Sequence, residues 1–118
     1  MEKFKKQNEE TLLIFEQVIK NIECERKKMF GYSVGFINGN MVAGIFADRI
    51  FFRVKIENQE KIKEKNKSIK DFEPVDGRKM KDYLEIKGKK ENIELLMEYV
   101  KMAAELSKEL PKKVKEKK

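Results

Sequence analysis

The sequence lacks several residues on which common chemistries depend. It contains no His and no Trp, and Cys24 is its single cysteine. These absences exclude a disulfide framework, a Cys/His zinc site and nucleophile systems that use an imidazole base. No apolar run approaches the ~20 residues needed to span a bilayer, and no secretory signal opens the chain. We therefore expect a cytoplasmic protein without membrane contact.

The apolar content is sufficient for a folded core beneath a heavily charged surface. Leu, Ile, Val and Phe account for 33 of the 118 residues, and charged residues for 42%. An aliphatic and Phe fraction above ~20% is typical of chains that fold. The length suits one domain. We place this domain at residues 1–111 and expect a basic, disordered tail at residues 112–118.

Positive charge exceeds negative charge. The chain has 28 basic and 21 acidic residues, a net charge of +7, and residues 112–118 contribute +4 of it. Such a tail either solubilises one end or attracts polyanions in a salt-sensitive way. Lys outnumbers Arg 24 to 4. This ratio argues against specific base recognition, since Arg is the residue that makes paired hydrogen bonds to guanine or phosphate.

The first predicted element is a helix over residues 9–24. Asn8 is a good N-cap, two glutamates follow in the first turn, and apolar residues recur at helical spacing. Cys24 falls at its end. A small structural thiol is the simplest interpretation of Cys24, because no imidazole or basic pair would activate it.

A three-stranded antiparallel meander is expected next, because bulky and small residues alternate and turn residues separate the runs. Its strands are predicted over residues 30–37, 41–47 and 50–54, joined by turns at Asn38-Gly39 and Asp48-Arg49. Asn-Gly is the strongest two-residue hairpin signal. Gly44 indicates either a bulge or a close packing partner.

The second half of the chain contains fewer strand signals. We predict a solvated helix or mobile loop over residues 56–70, a turn over 72–77, a strand over 80–86 and a helix over about 90–109. The fold class is therefore α+β with two layers: an antiparallel sheet, made of the meander and one or two further strands, packed against N- and C-terminal helices.

One predicted strand carries aromatic residues on one face, among them Tyr32 and Phe36. Basic residues precede it, as in a strand that stacks RNA bases. The order of an RNA-recognition motif is absent, however, and a strand with one aromatic face is usually part of a core. We expect the two helices to cover this aromatic face.

No arrangement of residues indicates catalysis. The glycines fall within predicted hairpins rather than between a strand and a helix, so a phosphate-binding loop is not indicated. The aspartates are spread over turns, with no clustered pair for acid–base chemistry or a metal. We predict no catalytic residue, no cofactor and no metal site.

Six short motifs in order resemble the TfoX N-terminal domain family. Lys28-Met29-Phe30-Gly31 begins the set, and the Asn38–Gly44 and Phe51–Val54 segments follow. Phe72-Glu73-Pro74 and Gly77–Met80 with Tyr83 continue it, and the resemblance covers roughly residues 10–113. The matching motif residues are Met29, Phe30, Gly31, Gly39, Gly44, Arg53, Phe72, Pro74, Gly77, Met80 and Tyr83.

The resemblance implies a non-enzymatic regulatory role and an α+β fold. The family is best known from TfoX/Sxy regulators of DNA-uptake competence, which act positively on transcription together with a cyclic-AMP-dependent activator. By this resemblance the chain would be a stand-alone, single-domain member without a cofactor. Most motif residues also have structural explanations: Gly31 and Gly44 would allow close backbone approach, and Gly39 and Gly77 would serve turns.

Three functional interpretations remain open. The first is a module that modulates transcription by protein–protein contacts, with an unidentified partner in the transcription machinery. The second is direct, non-specific nucleic-acid binding through the Lys-rich surface, including residues 61–70, and the tail. The third is an unrecognised enzyme. The last helix has an apolar excess that is a candidate homodimer surface. Candidate interaction residues are Arg26, Lys27, Lys28, Arg53, Arg78, Lys112 and Lys113.

Overall fold

The computed structural model describes residues 8–29 and 31–111, and the elements follow in an order close to the predicted one. The helices are α1 (Glu9–Ile19), α2 (Ile56–Lys65) and α3 (Ile93–Glu109), the last preceded by a 3-10 turn at Lys90–Asn92. The strands are β1 (Glu25–Met29), β2 (Tyr32–Ile37), β3 (Asn40–Phe46), β4 (Arg49–Arg53), β5 (Lys70–Asp71) and β6 (Tyr83–Lys87). The α+β prediction is confirmed.

Helix α1 begins where the sequence predicts and ends five residues early. The Asn8 side chain accepts a hydrogen bond from the Thr11 N–H at 3.1 Å, which satisfies one of the free donors of the first turn. The prediction of a helix to residue 24 is wrong. Beyond Ile19, the Asn21 side chain donates to the carbonyls of Gln17 and Val18, and the chain turns towards β1.

All six strands form one antiparallel sheet in the order β1-β2-β3-β4-β6-β5. The predicted meander is present and is extended at one edge by β1, a strand that sequence reasoning missed. Its residues Glu25-Arg26-Lys27-Lys28-Met29 are all exposed and show no polar–apolar alternation. Only pairing with β2 makes this segment a strand.

The turns of the meander follow their residue chemistry. Asn38 and Gly39 have φ of 53° and 77°, the pair of positive values that a type I′ turn requires. The second tight turn is centred on Ala47-Asp48, with Ala47 at φ 59°, so the predicted Asp48-Arg49 position is wrong by one residue. The bulge lies at the Gly35/Phe36 step and not at Gly44.

Helices α1 and α3 cover one face of the sheet and form the main core with it. This core includes Phe15, Val42, Phe52, Leu96 and Val100, all at most 1% exposed. The apolar side of α3 packs mainly into this core. Only scattered residues such as Met97 and Met102 remain exposed on it, and the homodimer stays a prediction.

The helices do not cover most of the aromatic face of β2, so that expectation is wrong, although Tyr32 still belongs to the main core. Val34 and Phe36 belong to a second cluster on the opposite side of the sheet. The small face of β2 faces α1 instead, because a Cβ at position 35 would lie 3.0 Å from Cys24 Sγ and 3.1 Å from Ile19 Cδ1. The glycine lets the helix approach closely, and the bulky residues are left for the other face.

In the second half of the chain, the structure decides between the helix and the mobile loop that the sequence left open for residues 56–70. Residues 56–65 form a helix, α2, which buries Ile62 and leaves its other apolar residue, Ile56, 58% exposed. The last full strand begins at Tyr83 rather than at Met80. Met80 instead closes a loop, since its N–H donates to the Phe72 carbonyl at 2.9 Å. Helix α3 matches its predicted range closely.

Candidate functional site: an apolar groove on the outer face of the sheet

The face of the sheet away from α1 and α3, here called the outer face, contains an apolar groove of about 200 Å³. Its lining residues are Met29, Tyr32, Val34, Met41, Ile45, Phe46, Phe51, Phe72, Pro74, Val75 and Met80. The floor is aromatic. The rings of Phe51 and Phe72 are stacked with centroids 4.3 Å apart, and Tyr83 meets Phe51 edge-on at 5.7 Å.

Gly44 makes room for this floor. A Cβ at position 44 would lie 2.7 Å from Phe51 Cζ and 3.0 Å from Val34 Cγ2, closer than packed atoms allow. The prediction of a close packing partner at Gly44 is therefore confirmed. Gly31 behaves differently. Its φ is +84° and nothing lies near its Cβ position, so it serves a turn and not the expected close approach.

One side of the groove is a loop folded back over the sheet between β5 and β6. A tight turn holds it, with the Arg78 N–H donating to the Val75 carbonyl at 2.7 Å. The Glu73 carboxylate accepts from the Gly77 N–H at 2.6 Å, and Gly77 has a φ of +80°. Hydrogen bonds within the loop thus hold its shape. Val75 is 58% exposed to solvent.

Two methionines form opposite rims of the groove. Met29, at the end of β1, is 38% exposed, and Met80, at the end of the loop, is 37% exposed. Two basic residues precede each of them, Lys27-Lys28 on one side and Arg78-Lys79 on the other. Methionine side chains adapt their shape to an apolar partner at little cost. The groove therefore has a buried aromatic floor, adaptable apolar rims and basic neighbours.

Arg53 is a structural residue at the edge of the groove. Its side chain is 13% exposed. Nε donates to the Met41 carbonyl at 2.9 Å, and Nη2 donates to the Tyr83 hydroxyl at 2.6 Å. Burial is the main cause that raises the pKa of Tyr83, to about 12, and the Arg53 charge opposes it only partly. These contacts tie β3, β4 and β6 together and leave Arg53 little freedom to contact a partner.

The other charged candidates have different surroundings. Arg26 forms an ion pair with Glu16 and lies over the Phe15 ring, on the helix side of the sheet. The Lys27 ammonium lies 5.3 Å from the centre of the Phe36 ring, on the outer face. Lys28 and Arg78 are exposed. Lys112 and Lys113 lie outside the described residues.

The basic segments do not form one surface within the described part of the chain. β1 and β5 are at opposite edges of the six-stranded sheet, about 24 Å apart at ~4.8 Å per strand. Residues 61–70 lie beside β5, where Lys63 pairs with Asp71 at 2.8 Å. A polyanion would have to cross the whole sheet to contact both.

The family model of the TfoX N-terminal domain matches residues 16–109. The chain belongs to the TfoX N-terminal domain family. No curated protein and no solved structure is significantly similar to it. The family assignment therefore rests on that match, and the fold described above agrees with the α+β architecture that the motifs implied.

Four of the eleven TfoX motif residues line the groove. They are Met29, Phe72, Pro74 and Met80. Of the others, Gly44 lies beneath the floor, and Arg53 and Tyr83 are hydrogen-bonded to each other and to the carbonyl of Met41, a groove residue. Gly31, Gly39 and Gly77 lie in turns, and Phe30 lies outside the described residues. Segments separated by up to about fifty residues in sequence thus meet at one place on the outer face.

Sequence reasoning missed that this TfoX domain has a second apolar cluster. The signal was present in β4, where Ile50, Phe51 and Phe52 are consecutive apolar residues. Such a run places large side chains on both faces of a sheet, and a strand with only one buried face would alternate instead. Val75, the most exposed apolar residue of the groove, had no distinguishing pattern.

A second polar feature of the TfoX domain lies on the outer face beside the groove, since the guanidinium carbon of Arg49 lies 5.5 Å from the centre of the Phe46 ring. Arg49 Nη1 donates to both carboxylate oxygens of Glu85, at 3.2 and 3.0 Å. Burial raises the pKa of Glu85, and Arg49 counteracts this effect. Asp48 and Lys87 form a more exposed pair beside them at 3.1 Å. This cluster is balanced in charge and links β4 to β6.

Cys24 packs beneath the sheet, where it contacts the α1 side of the main core. Burial raises the pKa of its thiol, and Arg26 offsets this only partly. A raised pKa disfavours the reactive thiolate. Across residues 8–29 and 31–111, no group of three or more Cys, Asp or Glu residues could hold a metal, and no helix is long and apolar enough to cross a bilayer.

Proposed function

We propose that this TfoX N-terminal domain is a non-enzymatic interaction module that modulates transcription through protein–protein contacts, with the outer-face groove as its contact site. One observation carries the proposal. Four of the eleven family motif residues come from distant parts of the sequence and line the apolar groove that the helices leave uncovered: Met29, Phe72, Pro74 and Met80. Residues needed only for folding would be expected to concentrate in the main core with α1 and α3.

The groove has the anatomy of a protein contact site. Its floor is apolar and well packed, and its rims, Met29, Val75 and Met80, remain between 37% and 58% exposed. Contiguous apolar surface rimmed by polar residues often marks an interaction site. Such a patch with a polar surround is typical of the centre and rim of an interface.

Direct nucleic-acid binding is the competing interpretation. The net charge of +7 supports it. Two features weigh against it. The basic segments of β1 and residues 61–70 lie at opposite edges of the sheet. The two stacked rings of the outer face, Phe51 and Phe72, cannot serve as a stacking platform for bases, since they are 5% and 2% exposed.

Site-specific crosslinking in cells tests the proposal. A photoreactive amino acid replaces Val75 in the groove or, as the control, Leu13 on α1, which is 68% exposed. We expect position 75 to crosslink to a component of the transcription machinery and position 13 not to. In parallel, Met80→Glu should alter the transcript profile. Met97→Glu is the matched control, because Met97 is 39% exposed on the helix layer.

The outcomes separate the two interpretations. Equal crosslinking at both positions, or no effect of Met80→Glu on transcription, contradicts the groove as contact site. Direct nucleic-acid binding would show affinity that falls steeply with salt and drops when residues 112–118 are removed. If that behaviour appears and Met80→Glu leaves it unchanged, the nucleic-acid interpretation replaces the proposal.

A further inference from the structure

The loop between β5 and β6, residues 72–82 and here called the groove loop, forms one wall of the groove and has little packing of its own. Phe72 and, just after the loop, Tyr83 are buried in the floor, whereas residues 73 and 75–82 are exposed and Pro74 is half-buried. The preceding strand, β5, has only two residues and pairs with β6 alone at the edge of the sheet. The position of the groove loop therefore depends on contacts outside the sheet.

The Asp71 carboxylate supplies such a contact, because each of its oxygens accepts a hydrogen bond. Lys63 Nζ on α2 donates to Oδ1 at 2.8 Å, and Lys79 Nζ on the groove loop donates to Oδ2 at 3.2 Å. The hydrogen bond from Lys63 is the main cause that lowers the pKa of Asp71; burial opposes it, and Lys79 adds to it. The carboxylate thus stays charged at neutral pH and links the groove loop to α2.

Helix α2 contacts the groove loop at a second point. Gln59 precedes Lys63 by four residues, so the two lie on the same face of the helix. The Gln59 side chain donates to the Lys81 carbonyl at 2.7 Å. The helix buries only Ile62, so it adds little to the core. Its polar face instead holds the two residues that flank Met80, the rim of the groove.

We propose that Asp71 is a positioning residue for the groove: together with Lys63 and Lys79 it holds the groove loop closed and so sets the contact surface. This inference rests on the proposed function and assigns how that site keeps its shape. Asp71 acts through the groove loop and not by contact with the partner. A partner that binds only the closed loop loses apparent affinity in proportion to the closed fraction.

Amide hydrogen exchange, measured for each residue by NMR on the full-length chain, tests the closure. The Met80 N–H donates to the Phe72 carbonyl at 2.9 Å, so its exchange speeds up when the loop opens. Asp71→Asn should speed it about threefold. Asp71→Lys, which places a third lysine beside Lys63 and Lys79, should speed it about tenfold or more. Circular dichroism and the urea midpoint verify that each variant is folded.

Asp48 provides the matched control. Its carboxylate pairs with Lys87 at 3.1 Å and lies 3.7 Å from Arg49, and neither partner belongs to the groove loop. Asp48→Asn and Asp48→Lys change the net charge equally and crowd like charges in the same way, but should leave exchange at Met80 unchanged. The Gly88 N–H, which donates to the Asp48 carbonyl at 3.0 Å, should keep its exchange rate in both Asp71 variants.

The contact role is tested by the crosslinker at position 75. Asp71→Lys should lower the crosslinking yield about twofold or more relative to Asp48→Lys, because the closed fraction of the groove loop falls. A residue that only stabilised the whole fold would speed exchange at Met80 and Gly88 alike. It would not separate the two aspartates in the crosslinking yield.

Three results would overturn the inference. These are wild-type exchange at Met80 in both Asp71 variants, equal acceleration at Met80 and Gly88, or faster exchange at Met80 with undiminished crosslinking in Asp71→Lys. Absence of crosslinking at position 75 in the otherwise wild-type chain contradicts the proposed function instead. The exchange rates then still decide whether Asp71 holds the groove loop, so the two failures are distinguishable.

Discussion

Arg53 and Tyr83 share one backbone acceptor on a third strand. The Arg53 Nε and the Tyr83 hydroxyl both donate to the Met41 carbonyl, at 2.9 and 3.0 Å, while Arg53 Nη2 donates to the Tyr83 oxygen at 2.6 Å. These three hydrogen bonds form a triangle that connects β3, β4 and β6. The guanidinium carbon of Arg53 lies 4.9 Å from the centre of the Tyr83 ring. The triangle holds the edge of the groove in place.

Replacing either Tyr83 or Arg53 in this triangle should destabilise the fold. Tyr83→Phe leaves Arg53 Nη2 without its acceptor, so we expect a loss of about 1–2 kcal/mol in the free energy of unfolding. Arg53→Met should cost about 1–3 kcal/mol for the same reason. Because the two residues contact each other, the double variant should cost less than the sum, as measured by urea unfolding. Strict additivity would show that they act independently.

Tyr83 should also make the protein less stable at high pH. A tyrosine in an unfolded chain titrates near pH 10, and burial raises the pKa of Tyr83 in the fold to about 12. Between these values the unfolded state loses the proton and the folded state keeps it, so stability falls as pH rises through this window. Below this pH window, Tyr83 keeps its proton in both states and does not make the stability depend on pH.

The comparison is between the wild type and Tyr83→Phe, with urea midpoints measured from about pH 9 to 12. The titrating lysines are the same in both proteins and cancel. The wild-type midpoint should fall more steeply than that of the variant. Parallel curves would contradict the assignment of the effect to Tyr83.

Gly44→Ala should destabilise the domain by about 1–3 kcal/mol through overpacking. The added methyl would meet Phe51 Cζ at 2.7 Å, and Phe51 is stacked on Phe72 and cannot yield easily. In a Phe51→Leu background the same substitution should cost less. Gly77→Ala is the control: its Cβ has open space but a φ of +80°, so its cost of about 1 kcal/mol should not depend on residue 51.

Arg49→Met should produce a stability deficit that depends on pH. It removes the partner that counteracts the burial of Glu85, so the pKa of this carboxyl rises further above its unfolded value. A group with a raised pKa loses stabilising free energy as pH rises from the unfolded pKa to the folded one. We expect a deficit of about 1–3 kcal/mol near pH 7 and a smaller one near pH 4.

The matched control for Arg49→Met is Lys87→Met on the neighbouring strand. The side chains of Lys87 and its partner Asp48 are 56% and 47% exposed. Exposed ion pairs contribute about 1 kcal/mol or less, so this variant should change stability little at any pH. Thermal or urea unfolding at pH 4, 5.5 and 7 measures both variants. A deficit in Arg49→Met that is constant over this range would contradict the argument.

Local patterns predicted the elements whose signals lie within a few residues. The apolar stripe of α3 and the Asn38-Gly39 turn are examples, since helical spacing and positive φ are properties of a short segment. β1 could not be found in this way. Its residues are charged and exposed, and only the hydrogen bonds supplied by β2 make Glu25–Met29 a strand.

The sequence predicted only some residues of the candidate site, and it did not predict where they meet. The motif resemblance named Met29, Phe72, Met80 and Tyr83, and pattern reasoning placed the aromatic residues in a core beneath the helices. The structure puts them on the opposite face. Arg53 was a candidate interaction residue, and its contacts with Met41 and Tyr83 support a structural role instead.

The two helices that cover the sheet, the Asn38-Gly39 turn and the family follow from the amino-acid sequence alone, because each depends on local conformational preference or on an ordered set of motifs. The tertiary structure decided which face of the sheet the helices cover. A helix packs most closely where side chains are smallest, so α1 lies against Gly35 and the bulky residues of β2 turn away. This packing of α1 leaves the residues of the second cluster on the outer face, among them Val34, Phe36, Phe51 and Phe72. The groove exists for that reason.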